Sequence, residues 1–164
     1  MRQLRHQPPR AGGASDLVLA CPPLRSQVNL ARIVRAAGCC GVREMIVAGS
    51  GKIDPKIARD ALEQIRIHRH RSLRPVLQKW RARGYPLIGL EQTTESVLLT
   101  DFLFPRPCLL VVGHERLGIE PEILAMLDAA VEIPVFGHPA SYNVATATAI
   151  ALFEYCRQGM RGLD

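Results

Sequence analysis

Short, nearly continuous apolar runs alternate with helix-periodic segments along almost the whole chain. The runs are LVLAC at 17–21, EMIVA at 44–48, QIRIHR at 64–69, PLIGL at 86–90, CLLVV at 108–112 and AVEI at 130–133. Helical patterns fill 28–39, 55–63, 72–83, 121–128 and 143–158. In the first of these, Val28, Ala31 and Val34, with Leu30, Ile33 and Ala37, recur at the 3.6-residue period of a helix with one apolar face. Strands that are apolar on both faces need cover on both faces, and intervening helices supply it. The pattern therefore predicts an α/β fold with a parallel or mostly parallel sheet. The 164 residues suffice for one domain with a sizeable core. That domain is expected over 17–164, after a flexible basic tail over 1–16 that contains Pro8-Pro9 and Gly12-Gly13. With 48% hydrophobic but only 5% aromatic residues, the core must be aliphatic.

Charge and cysteine content narrow the function classes. The net charge of +6 favours a polyanionic partner, because basic surfaces draw nucleic acid by releasing counterions. The five cysteines, at 21, 39, 40, 108 and 156, show neither CxxC nor Cys/His ligand spacing. Most lie in apolar segments, where a free thiol acts as a small hydrophobe. A reducing compartment and no metal are expected. The N-terminus has no apolar core of a secretory signal, and no apolar run reaches the ~18–20 residues of a membrane span. A soluble, cytoplasmic protein is expected.

In open α/β sheets, ligands bind beyond the carboxyl ends of the strands. Three such exits are polar or glycine-rich: 22–29, 113–118 and 137–143. Asn29, Arg32 and Arg35, three residues apart, form either a solvated helix face or an anion grip. In VVGHERLGIEPE (111–122), Gly113 and Gly118 flank His114, Glu115 and Arg116. The glycines would let the backbone approach a ligand, and Glu115 could hold a ribose hydroxyl or a main-chain amide. The spacing matches neither a dinucleotide-binding G-x-G-x-x-G nor a P-loop, which disfavours a dehydrogenase or ATPase. His114 and His138 lack ligand-spaced partners and read as non-catalytic. The Arg-rich run 65–83, with His68, His70 and Trp80, is either a phosphate-tracking surface or a solvated strand–helix face. Ser141 and Asn143 precede a helix with no charge until Glu154, and a Ser-x-Asn in that place is most often a helix cap.

Taken together, NLARIVRAAGCCGV (29–42), LLVVGHERLGIEPEIL (109–124) and VEIPVFGHPASYNVATATAIALFEY (131–155) resemble, in order and spacing, the three motifs of the SpoU/TrmH branch of the SPOUT RNA methyltransferases. The likeness covers nearly all of 17–158. GYPLIGLEQTTES, the HERLGI loop and FEYCRQ look most like the catalytic domain of eukaryotic tRNA guanosine-18 ribose 2′-O-methyltransferases. The resemblance implies a C-terminal deep trefoil knot, which strand and helix patterns alone would not suggest. It also implies a homodimer with its site near the subunit interface, and S-adenosylmethionine (SAM) bound among the knot loops as methyl donor.

Carried onto this chain, the resemblance assigns cofactor binding to Leu90, Gly113, Ile133 and Tyr142. Arg35 takes the place of the catalytic arginine, and Asn29, Glu115, Ser141 and Asn143 match the other motif positions. Tyr142 stands where the family usually has Leu, and Ala145 where it has a small polar residue. Many relatives carry an added RNA-binding domain where this chain has its basic tail, so RNA recognition is expected from the domain surface and the dimer. The implied reaction is methyl transfer to a ribose 2′-OH, of tRNA ahead of rRNA. The alternatives are a catalytically silent RNA-binding dimer and base methylation by another SPOUT branch.

Overall fold

A computed structural model describes residues 8–160. Its core is a seven-stranded sheet. The strands are β1 (Leu17–Cys21), β2 (Glu44–Ala48), β3 (Arg66–His70), β4 (Leu87–Leu90), β5 (Val97–Leu98), β6 (Cys108–Val112) and β7 (Ala129–Glu132). They run in the order β3-β2-β1-β6-β4-β7-β5, and every pairing is parallel. The helices are α1 (Gln27–Cys39), α2 (Pro55–Ala58), α3 (Ala61–Gln64), α4 (Arg74–Ala82), α5 (Pro121–Leu124) and α6 (Val144–Met160).

The two central strands, LVLAC and CLLVV, are buried at every position. Because successive strand side chains point to opposite faces, each strand feeds two cores. Leu17, Leu19, Cys21, Cys108, Leu110 and Val112 join the layer under α1 and α6. Val18, Ala20, Leu109 and Val111 join the layer under α4, with Leu77 and Trp80. α6 lays Ala145, Thr148, Ala151, Leu152 and Tyr155 inward. The Thr148 hydroxyl donates to the Val144 carbonyl at 2.7 Å, so its burial leaves no polar atom unpaired.

Departures from the sequence pattern have local causes. The helix expected over 55–63 is two short helices, broken at Arg59, whose φ of 53° is rare for a residue with a side chain. The break lets α3 fold against α1 at Gly38, where a Cβ would stand 2.5 Å from that of Ala61. The pattern over 121–128 is helical only to Leu124. β5 was not foreseen, because two residues pairing at the sheet edge carry no periodicity. Of the expected tail, residues 1–7 lie outside the described residues. Ala14 is fully buried and its amide donates to the Cys40 carbonyl at 2.7 Å, while Asp16 accepts from the Tyr155 hydroxyl at 2.9 Å. Packing thus reaches back before residue 17.

Candidate active site

The first turn of α1 begins the site. Ser26 caps that helix, accepting from the Asn29 amide at 3.2 Å. Asn29, 8% exposed, is one of two buried polar residues among those described. Its side-chain amide donates to Glu115 at 3.3 Å, and its carbonyl oxygen accepts from the Asn143 amide at 3.2 Å. The Asn143 oxygen in turn accepts from the Ala145 amide at 2.9 Å. Asn143 therefore caps α6 and also lines the cleft, so the cap does not remove its side chain from the site. One hydrogen-bonded chain, Glu115–Asn29–Asn143, ties together the three loops singled out in the sequence.

Glu115 also accepts from the main-chain amides of Arg25 at 3.0 Å and Ser26 at 2.9 Å. Burial opposes its ionisation. The amides of Ser26, Arg25 and Glu115 itself, with the Asn29 side chain, outweigh burial and hold the carboxyl below its ordinary range. Of the two sequence readings for Glu115, the main-chain one is realised: it fastens the β1–α1 turn to the loop after β6. His114 stiffens that loop. Its backbone pairs with Gly118 in both directions, and its Nδ1 accepts from the amides of Arg116 and Leu117 at 3.2 and 3.3 Å. An accepting Nδ1 places the neutral ring's proton on Nε2, 3.5 Å from Glu115. These contacts give His114 a structural part in the loop.

The glycines of this loop line the cleft and also have a role inside the protein. A Cβ on Gly113 would stand 2.9 Å from the Gly118 carbonyl carbon and 3.0 Å from Glu91, and a Cβ on Gly118 would collide with the Glu91 carboxylate. Gly118 also has φ of 68°. They are needed so that the loop can close over Glu91, which accepts from the Ile119 amide at 3.0 Å. Sequence reasoning missed Glu91. Its signals were its place one residue beyond a strand end and its membership of the segment GYPLIGLEQTTES.

These loops enclose a cleft of about 410 Å³, within the range of small-molecule sites. Its apolar wall includes Leu90, Ile133 and Val112, and Gly113, Ser141 and Tyr142 also line it. Asn29, Glu115 and Asn143 form one polar edge, and Glu91 and Glu132, both missed from sequence, also line the cleft, their carboxylates accepting from the Gln92 and Ile119 amides and from the Ser96 hydroxyl. A cleft of mixed lining, with one apolar wall and several acids and amides, suits a nucleoside-sized ligand bearing positive charge. Eight of the nine proposed site residues thus line one cleft. Arg35 does not. It is exposed further along α1 and lines a separate groove with Arg32 and Lys56.

The parallel sheet with its ligand cleft beyond the strand ends defines the class of fold, and comparison with known proteins narrows it. The model of the SpoU rRNA methylase family matches residues 16–153, and the chain belongs to that family. The mouse tRNA (guanosine(18)-2′-O)-methyltransferase TARBP1 is 43% identical over 86 residues, which are 52% of this chain and 5% of that protein. The TrmH/SpoU tRNA-modifying enzyme of Aquifex aeolicus superposes with a TM-score of 0.84 at 28% identity, covering 90% of this chain and 77% of its own. The SpoU methyltransferase AviRb of Streptomyces viridochromogenes, solved with AdoMet, gives a TM-score of 0.79 at 29% identity over 94% of this chain and 64% of its own. This chain therefore spans only a twentieth of the mouse protein but most of the Aquifex one.

Proposed function

We propose that this chain is a SAM-dependent RNA methyltransferase acting on a ribose 2′-OH of tRNA, with guanosine-18 as the favoured target. The observation that carries the reading is the Glu115–Asn29–Asn143 chain on the edge of the cleft. Three family motifs, distant in sequence, meet there around a space of suitable size and polarity. The relatives named as tRNA guanosine-18 methyltransferases favour tRNA over rRNA. A neighbour solved with AdoMet supports the donor.

The cleft residues fit the donor. Leu90, Ile133 and Tyr142 offer apolar contact to an adenosine, and Glu91 and Glu132 offer negative charge to a cationic ligand. Bound there, SAM would supply an electrophilic methyl group. The chain's own part is alignment and charge. Orientation can supply up to about 7–11 kcal/mol of such a barrier. Asn143 and Ser141 position the ribose, with Asn143 held in place by Asn29. Arg35 orients a substrate phosphate and stabilises negative charge growing on the 2′-oxygen. It is not assigned the proton, because a guanidinium does not deprotonate in proteins.

Arg35 lies outside the lining of its own chain's donor cleft, which favours a site completed by a second copy. The surface supports a homodimer: Phe136 is 94%, Leu117 80% and Phe153 62% exposed, and paired surfaces bury such side chains. A trefoil knot is part of the reading too. After β7 at one side of the sheet, the chain returns past the ends of β4 and β6 to pack α6 on α1, the route a threaded C-terminus would take. Five free cysteines, two of them buried in the core, suit a reducing, cytoplasmic setting.

The test is transfer of labelled methyl from SAM to total tRNA, followed by nucleoside digestion. A 2′-O-methylguanosine product is expected. A methylated base would move the chain to another reaction class, and SAM binding without any transfer would leave a silent RNA-binding dimer. Arg35→Ala should abolish transfer while SAM binding, measured by calorimetry, persists.

A further inference from the structure

The groove that holds Arg35 is a second site, distinct from the donor cleft. It has a volume of about 520 Å³ and lies between α1 and α2. Arg32, Arg35 and Lys56 line it together with Ala36, Cys39 and Ile57. Among the described residues, no carboxylate lines it. All three cations are exposed, and none of their side chains makes an ion pair or hydrogen bond among the described residues. The nearby Asp54 is engaged in capping α2, accepting from the Lys56 amide at 2.8 Å.

Other basic regions differ. In the run 65–83, Arg66 pairs with Glu44, Arg74 with Glu122 and Arg81 with Asp128. Trp80 is buried, with the Arg83 guanidinium 4.1 Å from its ring centre. It offers no free aromatic face for a base. A third hollow, near Arg43 and Arg66, is also lined by Glu44 and Glu63. Between α1 and α2, by contrast, the cations line a hollow in which no acid is found among the described residues.

We propose that this groove binds the RNA backbone, with Arg32 and Lys56 contacting phosphates beside the nucleotide that Arg35 serves. The proposal rests on the reading of the chain as an RNA methyltransferase. The geometry is set by α1, whose first turn carries Asn29 at the donor cleft. Arg32 and Arg35 follow at about 4.5 and 9 Å along the same axis, at 1.5 Å per residue. A single rigid helix thus holds Arg32 at a fixed spacing from Arg35, so that both can meet neighbouring phosphates at the cleft of the second copy that Arg35 completes. Lys56, brought in by α2 from 21 residues beyond Arg35, completes the grip from the opposite wall.

The experiment compares the full chain with Arg32→Ala/Lys56→Ala and with Lys56→Arg, using unmodified tRNA transcript as the probe. Filter binding over a potassium chloride series gives affinity and its salt dependence. Calorimetry gives SAM affinity, and methyl transfer gives kcat and KM. The double variant should bind tRNA at least tenfold more weakly and raise KM for tRNA more than it lowers kcat. Its log–log salt slope should be shallower by ~1.4–1.8, the loss of two phosphate contacts at about 0.7–0.9 each. SAM affinity should be unchanged, and Lys56→Arg should stay near the parent. An unchanged tRNA affinity and slope in the double variant would overturn the groove assignment while leaving the methyltransferase reading intact. An equal fall in SAM affinity would also overturn it, by placing the effect on the fold. If the parent chain binds tRNA with the expected slope change but transfers no methyl, the groove stands and the activity falls. If the parent chain does not bind tRNA, both fall.

Discussion

The loop after β6 is fastened at several points: Glu115 takes amides from Arg25, Ser26 and Asn29, His114 takes two within the loop, and Glu91 takes that of Ile119. The loop after β7 meets the cleft through fewer ties, namely Gln92 to the Ala140 carbonyl at 3.3 Å and Asn143 to Asn29. Ser141 and Tyr142 are exposed, and Phe136 is almost wholly so. One wall of the cleft is fixed by hydrogen bonds within the protein, and the other presents exposed side chains with few of them. Preorganisation on one side sets where a donor must lie. Exposure on the other leaves room for a large substrate.

Mutation can break this contrast, starting with the fastened wall. Glu115→Ala leaves the Ser26 amide and the Asn29 side chain without their acceptor, at a cost of about 1–3 kcal/mol. The loop would then shift, and a misplacement of ~1 Å can cost about 100-fold in rate. Urea unfolding and methyl transfer should both register the loss. Asn143→Ala comes next, removing the cap of α6 at about 1 kcal/mol together with the link to Asn29. Its midpoint should fall less than that of Glu115→Ala, while its transfer rate still drops clearly.

Acid should probe the same wall. The folded-state pKa of Glu115 lies below its unfolded value of about 4.3, so its contribution is fully present above that value and is lost as pH falls through the folded pKa. The stability gap between the parent chain and Glu115→Gln should therefore be constant near neutrality and narrow in strongly acidic urea titrations. A gap that widened as pH fell would contradict the depressed pKa.

The smallest stability effects belong to the open wall. Ser141→Ala and Tyr142→Leu, at exposed positions, should leave stability within about 0.5 kcal/mol. Tyr142→Leu should alter SAM affinity several-fold, and Ser141→Ala should lower the transfer rate without doing so. If Tyr142→Leu unfolds the protein as readily as Glu115→Ala does, the two walls are not different in kind.

Strand positions in the central sheet were legible because they depend on local composition: an apolar run such as CLLVV has no comfortable place except a doubly covered strand. The edge was harder to read. β5 is too short to carry a pattern, and the break at Arg59 follows from the close approach of α3 to Gly38, a contact between segments far apart in sequence. At the site, order and spacing of the motifs brought eight residues to one cleft. They could not disclose Glu91 or Glu132, which are ordinary acids until folding brings them to the same cleft. Nor could they show that Gly113 and Gly118 make way for a carboxylate within the protein.

Two residues on one helix mark the division. The sequence by itself determined that Asn29 and Arg35 lie six positions apart on an amphipathic helix, because residue period and apolar pattern are local properties of the chain. Only the tertiary structure decided that they face different spaces. Asn29 is itself buried, and since a polar side chain removed from water needs partners, half-buried Glu115 and exposed Asn143 supply them. Arg35 is exposed at a groove shared with Lys56, where among the described residues no acid pairs with it.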